Sequence, residues 1–234
     1  MTVTPEVLAE NVVSVLDHGF VALDGGLASD LAVVNGARVS FNQVSDEMTE
    51  RDAGLIRFLM REGHGSPFEH GYFRFIVKAP LFVVREHHRH RAGHSYNEWS
   101  GRYSKIEPEF YVPDYIRTQV GKPGAYSFEP VDDVTRGAAQ REIEENATRA
   151  FQAYERMLER GVAKEVARAV LPLSTYTKYY WSCNPRSLMH FCSLRNHEAA
   201  QYEIQQYAAA AESFLERLMP ITHAAFVERG RIAP

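Results

Sequence analysis

Apolar residues recur along the chain with two periods, one typical of strands and one typical of helices. Three stretches have the alternating or β-branched pattern of short strands: residues 12–17, 20–24 and 72–78. Two others repeat apolar residues at helical spacing: residues 29–38, with Ser29 as N-cap, and residues 49–63, with Gly63 near the helix end.

Helical spacing dominates the rest of the chain. Pro80 suits the first position of a helix, which we expect to run to about Arg91. Further elements are predicted as helices at residues 132–160, 163–171, 185–195 and 197–218, and as a strand at residues 174–182. Residues 93–128 are polar and rich in Gly, Pro and Tyr, which predicts a loop, and a surface loop is expected at residues 120–133. The pattern therefore predicts an α+β fold with a mixed sheet flanked by helices, helices dominating, in a single domain over residues 1–234.

Composition and charge narrow the classes of function. The chain has 234 residues, of which 45% are hydrophobic and 24% charged, and its formal net charge is −4. This acidic balance argues against a nucleic-acid coat. Neither a secretory signal nor an apolar run long enough to cross a bilayer is evident, so we expect a cytoplasmic protein without a membrane partner. Its two cysteines, Cys183 and Cys192, lie in apolar surroundings and are expected to be buried thiols.

Ionisable side chains are most concentrated in residues 85–102, which contain four histidines and four arginines. Such clustered positive charge is self-repelling unless an anion offsets it, and the arginine fork matches phosphate oxygens. Ser95, Asn97, Glu98 and Ser100 are interleaved with it and add groups that orient a polar ligand. The alternative is a solvated basic surface, although such surfaces are usually rich in lysine.

Two further segments carry candidate chemistry. Glycines flank His64 ahead of Ser66-Pro67, which predicts an exposed and shaped loop. Arg168, Arg186 and Arg195 lie among apolar neighbours, where a buried guanidinium needs an anion or a carboxylate. Ion pairs of Arg168 with Glu165 and of Arg195 with Glu198 remain open as the structural alternative.

Two other interpretations of the same residues are less favoured. His87, His90 and His94, with Glu98, have spacings that a metal site could use, but neighbouring arginines would repel a dication, so no metal is predicted. Ser100 could be a nucleophile, but no general base is evident beside it, and a hydroxyl that binds phosphate is the simpler explanation.

Taken together and in order, these segments resemble the flavin-dependent thymidylate synthases over roughly residues 12–218. The resemblance rests on Arg89-His90-Arg91 and the following Ser-Tyr-Asn-Glu-x-Ser-Gly-Arg-Tyr-Ser at residues 95–104. The flanking matches are Gly63-His64, Pro67-Phe68-Glu69-His70, Val77-Lys78-Ala79-Pro80, Glu165-Val166-Ala167-Arg168, Val170-Leu171-Pro172-Leu173, Asn184, Arg186-Ser187-Leu188-Met189 and Ile204-Gln205-Gln206-Tyr207-Ala208.

The resemblance implies an enzyme that methylates deoxyuridine monophosphate (dUMP) to thymidylate. Methylenetetrahydrofolate would be the carbon donor, and FAD reduced by NADPH would be the hydride source. The resemblance also implies a homotetramer in which subunits share active sites.

The resemblance further implies a role for each matching residue. Arg195, at the uracil ring, and His64, over the flavin, would be catalytic. The residues implied for FAD are Ser40, Ser66, Glu69, Arg89, His90, Arg91, Glu98, Asn184, Arg186 and His190. The residues implied for dUMP are Glu86, Arg89, Glu98, Ser100, Gly101, Arg102, Arg168 and Arg195.

The chain departs from the family pattern at two places. Eight residues separate Arg91 from Ser100 where the family has seven, so residues 92–94 carry one extra position. Ala199 stands where several relatives have histidine, a role that is either lost or passed to His197. Two other hypotheses remain: a nucleotide- or RNA-binding module, and a family member in which the extra residue leaves flavin binding without turnover.

Overall fold

The computed structural model of the chain describes residues 11–122 and 125–234. Its strands are β1 (Val12–Val15), β2 (Gly19–Leu27), β3 (Tyr72–Pro80), β4 (His94–Glu98), β5 (Arg117–Lys122), β6 (Ala125–Pro130) and β7 (Tyr176–Cys183). Its helices are α1 (Asp30–Arg38), α2 (Glu50–Glu62), α3 (Leu81–His87), α4 (Asp133–Glu159), α5 (Lys164–Ala167), α6 (Pro185–Arg195), α7 (Tyr202–Leu218) and α8 (Pro220–Glu228).

The main sheet has five strands in the order β1-β2-β3-β7-β4, and β5 and β6 form a separate hairpin. The α+β class with helices around a sheet is confirmed. Each of the four strand pairs in the described sheet is antiparallel, so the expectation of mixed strand directions is corrected. β4 is the edge strand, where His94 lies opposite Cys183 and Glu98 lies opposite Tyr179.

The core lies between this sheet and helices α6 and α7. Aromatic rings form its centre: Phe75 contacts Trp181 at 5.0 Å and Phe214 at 5.6 Å between ring centroids. One face of α7 is part of this core, because Ile204, Ala208, Ala211 and Leu215 have no measurable exposure. Both cysteines are buried free thiols, as expected.

Local signals that mark helix ends are confirmed. The Ser29 hydroxyl accepts a hydrogen bond from the Ala32 amide and begins α1. Thr49 and Asp52 form a reciprocal capping box at the start of α2. Gly63 ends that helix with φ at 73°, in the left-handed region where glycine has no steric penalty.

Three predicted elements need correction, and one helix was not predicted. The helix after Pro80 ends at His87 rather than near Arg91, so Arg85 lies on it and Arg89 beyond it. The stretch predicted as loop contains β4 and the β5–β6 hairpin; residues 123–124 of that stretch lie outside the described residues. α7 begins at Tyr202 rather than near residue 197, and α8 was not predicted. β4 lacked a strand signature because its sequence, His-Ser-Tyr-Asn-Glu, is that of a polar edge rather than a buried strand.

Among the helices that the structure describes, none combines the length and the apolar character required to cross a bilayer.

Candidate active site

Two cavities open near opposite ends of strand β4. The first, which we call the α6 cavity, has a volume of about 470 Å³ and is lined by Glu69, Gly93, Asn184, Arg186, His190 and Pro234, among others. The second, the β4 cavity, has a volume of about 400 Å³ and is lined by Glu98, Gly101, Arg168, Tyr176 and Thr177, among others. Gly93 and Glu98 are five residues apart, and an extended strand rises roughly 3.3 Å per residue, so about 17 Å separates them.

The N-terminus of α6 forms one wall of the α6 cavity. Asn184 is the N-cap, and its side-chain oxygen accepts a hydrogen bond of 2.8 Å from the Ser187 amide. The Ser187 hydroxyl in turn donates to the Ala92 carbonyl at 3.0 Å. α6 is thereby bonded to the loop that follows Arg89-His90-Arg91, so the two predicted flavin segments are fixed to each other.

The Arg186 guanidinium is held on three sides in the same wall. Its Nη1 donates to Glu69 Oε1 at 2.6 Å, and its Nε donates to the Pro234 carbonyl oxygen at 2.6 Å. A Cβ added to Gly65 would lie 2.4 Å from the guanidinium carbon, so only glycine permits this packing. Arg186 is therefore oriented before any ligand binds.

Gly93 accommodates the extra residue of the loop. Its φ of 71° lies in the left-handed region, and a Cβ there would lie 2.1 Å from the Ser187 hydroxyl oxygen and 3.0 Å from the Asn184 amide nitrogen. The backbone of the extra residue thus lies directly against the α6 N-terminus. Gly93 remains exposed to solvent while its backbone packs against the first turn of α6.

His94 fixes the other end of this short loop. Trp181 Nε1, which can only donate, hydrogen-bonds to His94 Nδ1 at 2.9 Å, so neutral His94 carries its proton on Nε2. Burial, followed by the proximity of His190, lowers the pKa of His94 to about 4. His94 is therefore neutral near pH 7 and its tautomer is set by the sheet.

Arg195, His90 and Glu86 form a connected polar group beneath the loop. Arg195 Nε donates to His90 Nε2 at 3.0 Å, and Arg195 Nη1 donates to Glu86 Oε2 at 3.1 Å. Burial, followed by the Arg195 charge, lowers the pKa of His90 to about 4. Burial also raises the pKa of Glu86, which the Arg195 charge opposes.

This arrangement corrects the ion-pair alternative for Arg195, whose carboxylate partner is Glu86 rather than Glu198. Arg168 forms no ion pair with Glu165 or with any other side chain in the described part of the chain. Arg195 is partly buried and paired with Glu86, whereas Arg168 is exposed, which corrects the expectation of a buried guanidinium at Arg168.

The histidines considered as metal ligands have separate partners. His87 is buried, with its Nδ1 2.6 Å from the Tyr179 hydroxyl and its ring 4.5 Å from the Phe191 ring. His90 bonds to Arg195 and His94 to Trp181. Within residues 11–122 and 125–234, no group of three or more His, Cys, Asp or Glu side chains is placed to hold a metal ion.

The β4 cavity is lined by groups suited to a nucleotide. Glu98 is oriented by the Thr177 hydroxyl, which donates to its Oε1 at 2.8 Å. The Ser100 hydroxyl accepts a hydrogen bond of 3.2 Å from Arg102 Nε. A Cβ on Gly101 would lie 2.8 Å from the Ile106 side chain and 3.7 Å from that of Arg168, so the turn at Ser100-Gly101-Arg102 packs closely against both side chains. Hydroxyl and guanidinium donors grouped at a turn are what a phosphate group requires.

Several predicted residues lie outside both cavity walls. Ser40, Ser66, Arg89 and Arg91 are exposed, and none of them is among the described residues that line either cavity. His64 is also exposed, and its ring lies against Phe58, 5.7 Å away between centroids. The single chain thus brings together residues of α6, β4 and the loop between Arg91 and His94, but does not bring these five to them. Five other predicted residues also line neither cavity: Glu86, His90, Ser100, Arg102 and Arg195.

Some residues of the two cavities had no sequence signal. Thr177 and Tyr176 enter the β4 cavity because β7 is the neighbour of β4, a pairing that the sequence did not reveal. Ser187 follows Arg186 in a segment already noted, so its position at the first turn of α6 could have indicated its role. Pro234 lies outside every motif considered.

The comparisons with known proteins were consistent with one another. A family model described as "Thymidylate synthase complementing protein" matches residues 26–221. A flavin-dependent thymidylate synthase of Tropheryma whipplei is 45% identical over 98% of this chain and 98% of its own length. Enzymes of the same name from Streptomyces coelicolor and Thermotoga neapolitana are 48% and 46% identical, over 88% and 92% of this chain and 90% and 94% of their own lengths.

Among solved structures, the chain is similar to the UMP/dUMP methylase PolB of Streptomyces cacaoi bound with 5-Br dUMP. The TM-score is 0.87 at 42% identity, and the match covers 95% of this chain and all of that one (100%). A second structure of PolB, bound with 5-Br UMP, matches with a TM-score of 0.85 and 43% identity over the same shares of both chains, 95% and 100%.

Proposed function

The chain belongs to the flavin-dependent thymidylate synthases, and on that premise we propose that it methylates dUMP to thymidylate with FAD, NADPH and methylenetetrahydrofolate. One observation carries the proposal. The Arg-His-Arg and Ser-Gly-Arg segments flank a single five-residue strand, and each leads to a cavity of different character.

The α6 cavity is assigned to the flavin. It has the size of a cofactor subsite, and its wall includes the Arg186 guanidinium, the Asn184 amide and the His190 ring. Glycine at positions 65 and 93 lets the backbone approach these groups more closely than any side chain would allow. When bound and reduced, the flavin supplies the hydride that completes the methyl group.

The β4 cavity is assigned to the nucleotide. Ser100 and Arg102 would hold the phosphate, with Arg168, whose side chain lies beside Gly101, contributing positive charge. Gly101 brings the backbone of this turn close to the ligand. Glu98, oriented by Thr177, would accept a hydrogen bond from a hydroxyl or ring N–H of the nucleotide.

Arg195 is proposed to polarise the uracil ring. Making C5 of the uracil nucleophilic places enolate-like negative charge on a ring carbonyl before the new carbon–carbon bond forms, and a pre-oriented guanidinium stabilises that charge without reorganising. Glu86 and His90 hold Arg195 from one side and leave part of its donor fork available. Because its pKa is lowered to about 4, His90 is neutral and adds no competing positive charge.

The residues that lie outside both cavities fit a shared site. Ser40, His64, Ser66, Arg89 and Arg91 are exposed in the single chain, where a second subunit could complete the cofactor site. We therefore retain for them the roles implied by the family, FAD contact for four of them and assistance to the hydride or folate step for His64. The homotetramer is part of this proposal.

The test begins with purified protein and its visible spectrum. We expect a yellow flavoprotein that converts dUMP to thymidylate when methylenetetrahydrofolate and NADPH are both supplied, with no product when either is omitted. A well-folded preparation that neither binds FAD nor forms thymidylate would exclude the proposal. FAD binding without turnover would instead support a family member disabled by its extra loop residue.

UMP is a second candidate substrate, because the similar solved enzyme is described as a methylase of both UMP and dUMP. Parallel assays with the two nucleotides at equal concentration distinguish the cases. A product from dUMP alone would restrict the activity to the deoxynucleotide, and comparable kcat/KM values would extend it to both.

A further inference from the structure

Residues 231–234, which we call the strap, lie against helix α6 on the face that forms the α6 cavity. The Ser193 hydroxyl donates to the Arg231 carbonyl oxygen, and the Arg186 Nε donates to the Pro234 carbonyl oxygen at 2.6 Å. From Arg186 to Ser193 the residue number rises along the helix, while that of the strap partner falls from Pro234 to Arg231. The strap therefore runs antiparallel to α6.

The dimensions of the two elements match. Seven residues of helix separate Arg186 from Ser193, a rise of roughly 10.5 Å at 1.5 Å per residue. Three extended residues between Arg231 and Pro234 span roughly 10 Å. A strap of this length thus reaches from the third turn of α6 to the first, and it passes His190, which lies between them on the helix.

The strap is anchored at both ends rather than lying loosely on the surface. Arg231 Nε donates to Glu212 Oε1 at 3.1 Å, and Glu212 is 4% exposed. Glu212 also accepts from Asn196 at 2.6 Å, directly after Arg195. At the other end Pro234 is buried and Ala233 packs against the main core.

The contact with Pro234 has a specific consequence for Arg186. With Nη1 bonded to Glu69 and Nε bonded to Pro234, the guanidinium plane is fixed from two directions. Its Nη2 group has no hydrogen-bond partner within the described residues. The strap therefore orients a cavity arginine whose remaining donors are available to an anionic or carbonyl group.

We infer that the strap is a positioning element of the cofactor cavity, in which the Pro234 carbonyl oxygen holds Arg186 in the orientation that binds FAD. This inference rests on the assignment of the α6 cavity to the flavin. It goes beyond the family match, which covers residues 26–221 and so does not include the strap. The strap also closes the cavity, since Ala233 and Pro234 are part of its lining.

Deletion of Ala233 and Pro234 tests the inference directly. Losing a hydrogen bond to a charged group should raise the FAD dissociation constant by about tenfold. Quenching of flavin fluorescence measures this constant in a chain that is otherwise unchanged. Ile232→Ala is the matched control, because that side chain is 59% exposed and does not line the cavity. We expect its FAD affinity to equal that of the wild type.

A double-mutant cycle separates positioning from simple packing. If the strap acts through Arg186, the deletion should have no further effect on FAD affinity once Arg186→Ala is present. Ser193→Ala leaves the strap residues in place and removes the hydroxyl that bonds to the Arg231 carbonyl oxygen and to the Met189 carbonyl oxygen within α6, so it should raise the dissociation constant by about twofold to threefold. This variant keeps the test decisive if the deletion lowers the melting temperature substantially.

The outcomes are distinguishable. A wild-type protein that binds no FAD would overturn the proposed function and this inference with it. Wild-type binding with unchanged affinity in both the deletion and Ser193→Ala would overturn the strap alone. Equal losses from the deletion in wild-type and Arg186→Ala backgrounds would show that the strap does not act through Arg186.

Discussion

The two cavities differ in whether the arginine side chain in the wall has a carboxylate partner within the protein. In the α6 cavity, Arg186 is paired with Glu69 and with a backbone carbonyl, and the α6 cap is bonded to the loop opposite. In the β4 cavity, Arg168 has no ion pair among residues 11–122 and 125–234, and the neighbouring Arg102 bonds to a neutral hydroxyl. The arginine in the wall of the α6 cavity is thus paired within the protein, whereas Arg168 forms no ion pair among the described residues, although Glu98 and Glu165 line the same cavity.

This difference corresponds to the ligands that we assign. A cofactor that stays bound benefits from a wall ordered in advance, because less conformational entropy is lost on binding. A nucleotide that enters and leaves in each cycle supplies its own phosphate charge, so arginines without a protein carboxylate partner favour it. The contrast predicts that substitutions in the two cavities affect different measured constants.

The largest effect is expected at Arg195, which lines neither cavity. Arg195→Ala removes the group that stabilises charge on the uracil ring, and comparable losses in enzymes lower kcat by about a hundredfold to a thousandfold. The flavin should remain bound, since Arg195 is not part of the α6 cavity lining. Single-turnover rates and flavin content together check this. Turnover within a few-fold of the wild type would show that Arg195 has another role.

Arg168→Ala should raise the KM for dUMP by about tenfold to a hundredfold, because one charge-assisted contact to phosphate is lost. Its FAD dissociation constant should not change. Arg186→Ala should give the reverse pattern, with weaker FAD binding and an unchanged KM for dUMP at saturating FAD. If both variants changed both constants equally, the two cavities would not be functionally separate.

Gly93→Ala should weaken FAD binding by about tenfold, because its Cβ would be 2.1 Å from the Ser187 hydroxyl oxygen in the cavity wall. Gly161→Ala is the matched control: its φ is 77° but nothing lies within 4 Å of the added Cβ. Both changes carry the strain of a left-handed residue, about 1 kcal/mol. The difference in FAD affinity between the two variants therefore reports the contact of residue 93 with α6. Equal FAD affinities in the two variants would contradict a role for that contact.

His64→Ala should lower turnover several-fold while changing the FAD dissociation constant by less than about twofold. The reason is that His64 is exposed outside the α6 cavity and would act only in the assembled site. Comparing kcat with equilibrium FAD binding measures this. A larger loss of FAD affinity than of turnover would make His64 a flavin anchor instead.

The smallest effect concerns pH. Burial lowers the pKa of both His90 and His94 to about 4, from the usual 6.5, so the unfolded chain binds protons in this window that the folded chain does not. The free energy of unfolding should therefore fall as the pH decreases from about 6.5 to about 4. Thermal melts across this range provide the measurement. His90→Asn should flatten the dependence, and an unchanged slope would assign it to other groups.

The sequence predicted the secondary-structure elements and the candidate site residues better than it predicted which of them contact one another. Ser29, Thr49 and Gly63 carry local capping signals, and α6 was predicted with the bounds that the structure shows. β4 was missed because an edge strand of polar residues is stabilised by its pairing with β7, a partner more than eighty residues away. The same non-local pairing brings Thr177 to Glu98.

The site residues likewise divide into those that a local helix prediction brings together and those that are joined by contacts between distant parts of the chain. Asn184, Arg186 and His190 share one helix, so a correct helix prediction placed them together. The contact of Arg186 with Pro234 joins residues 48 apart, and no periodicity or motif indicates it. The carboxylate partner of Arg195 was likewise chosen wrongly from proximity in sequence, since Glu86 is far from it along the chain and adjacent in space.

The most direct test of the two-cavity account is a titration of dUMP into FAD-loaded protein, followed by the visible absorption band of the flavin. The account predicts that dUMP perturbs this band, because the nucleotide lies beside the ring. It also predicts that Arg168→Ala requires about tenfold to a hundredfold more dUMP for the same change. A flavin spectrum that stays unchanged at saturating dUMP, in protein that binds both ligands, would contradict the account.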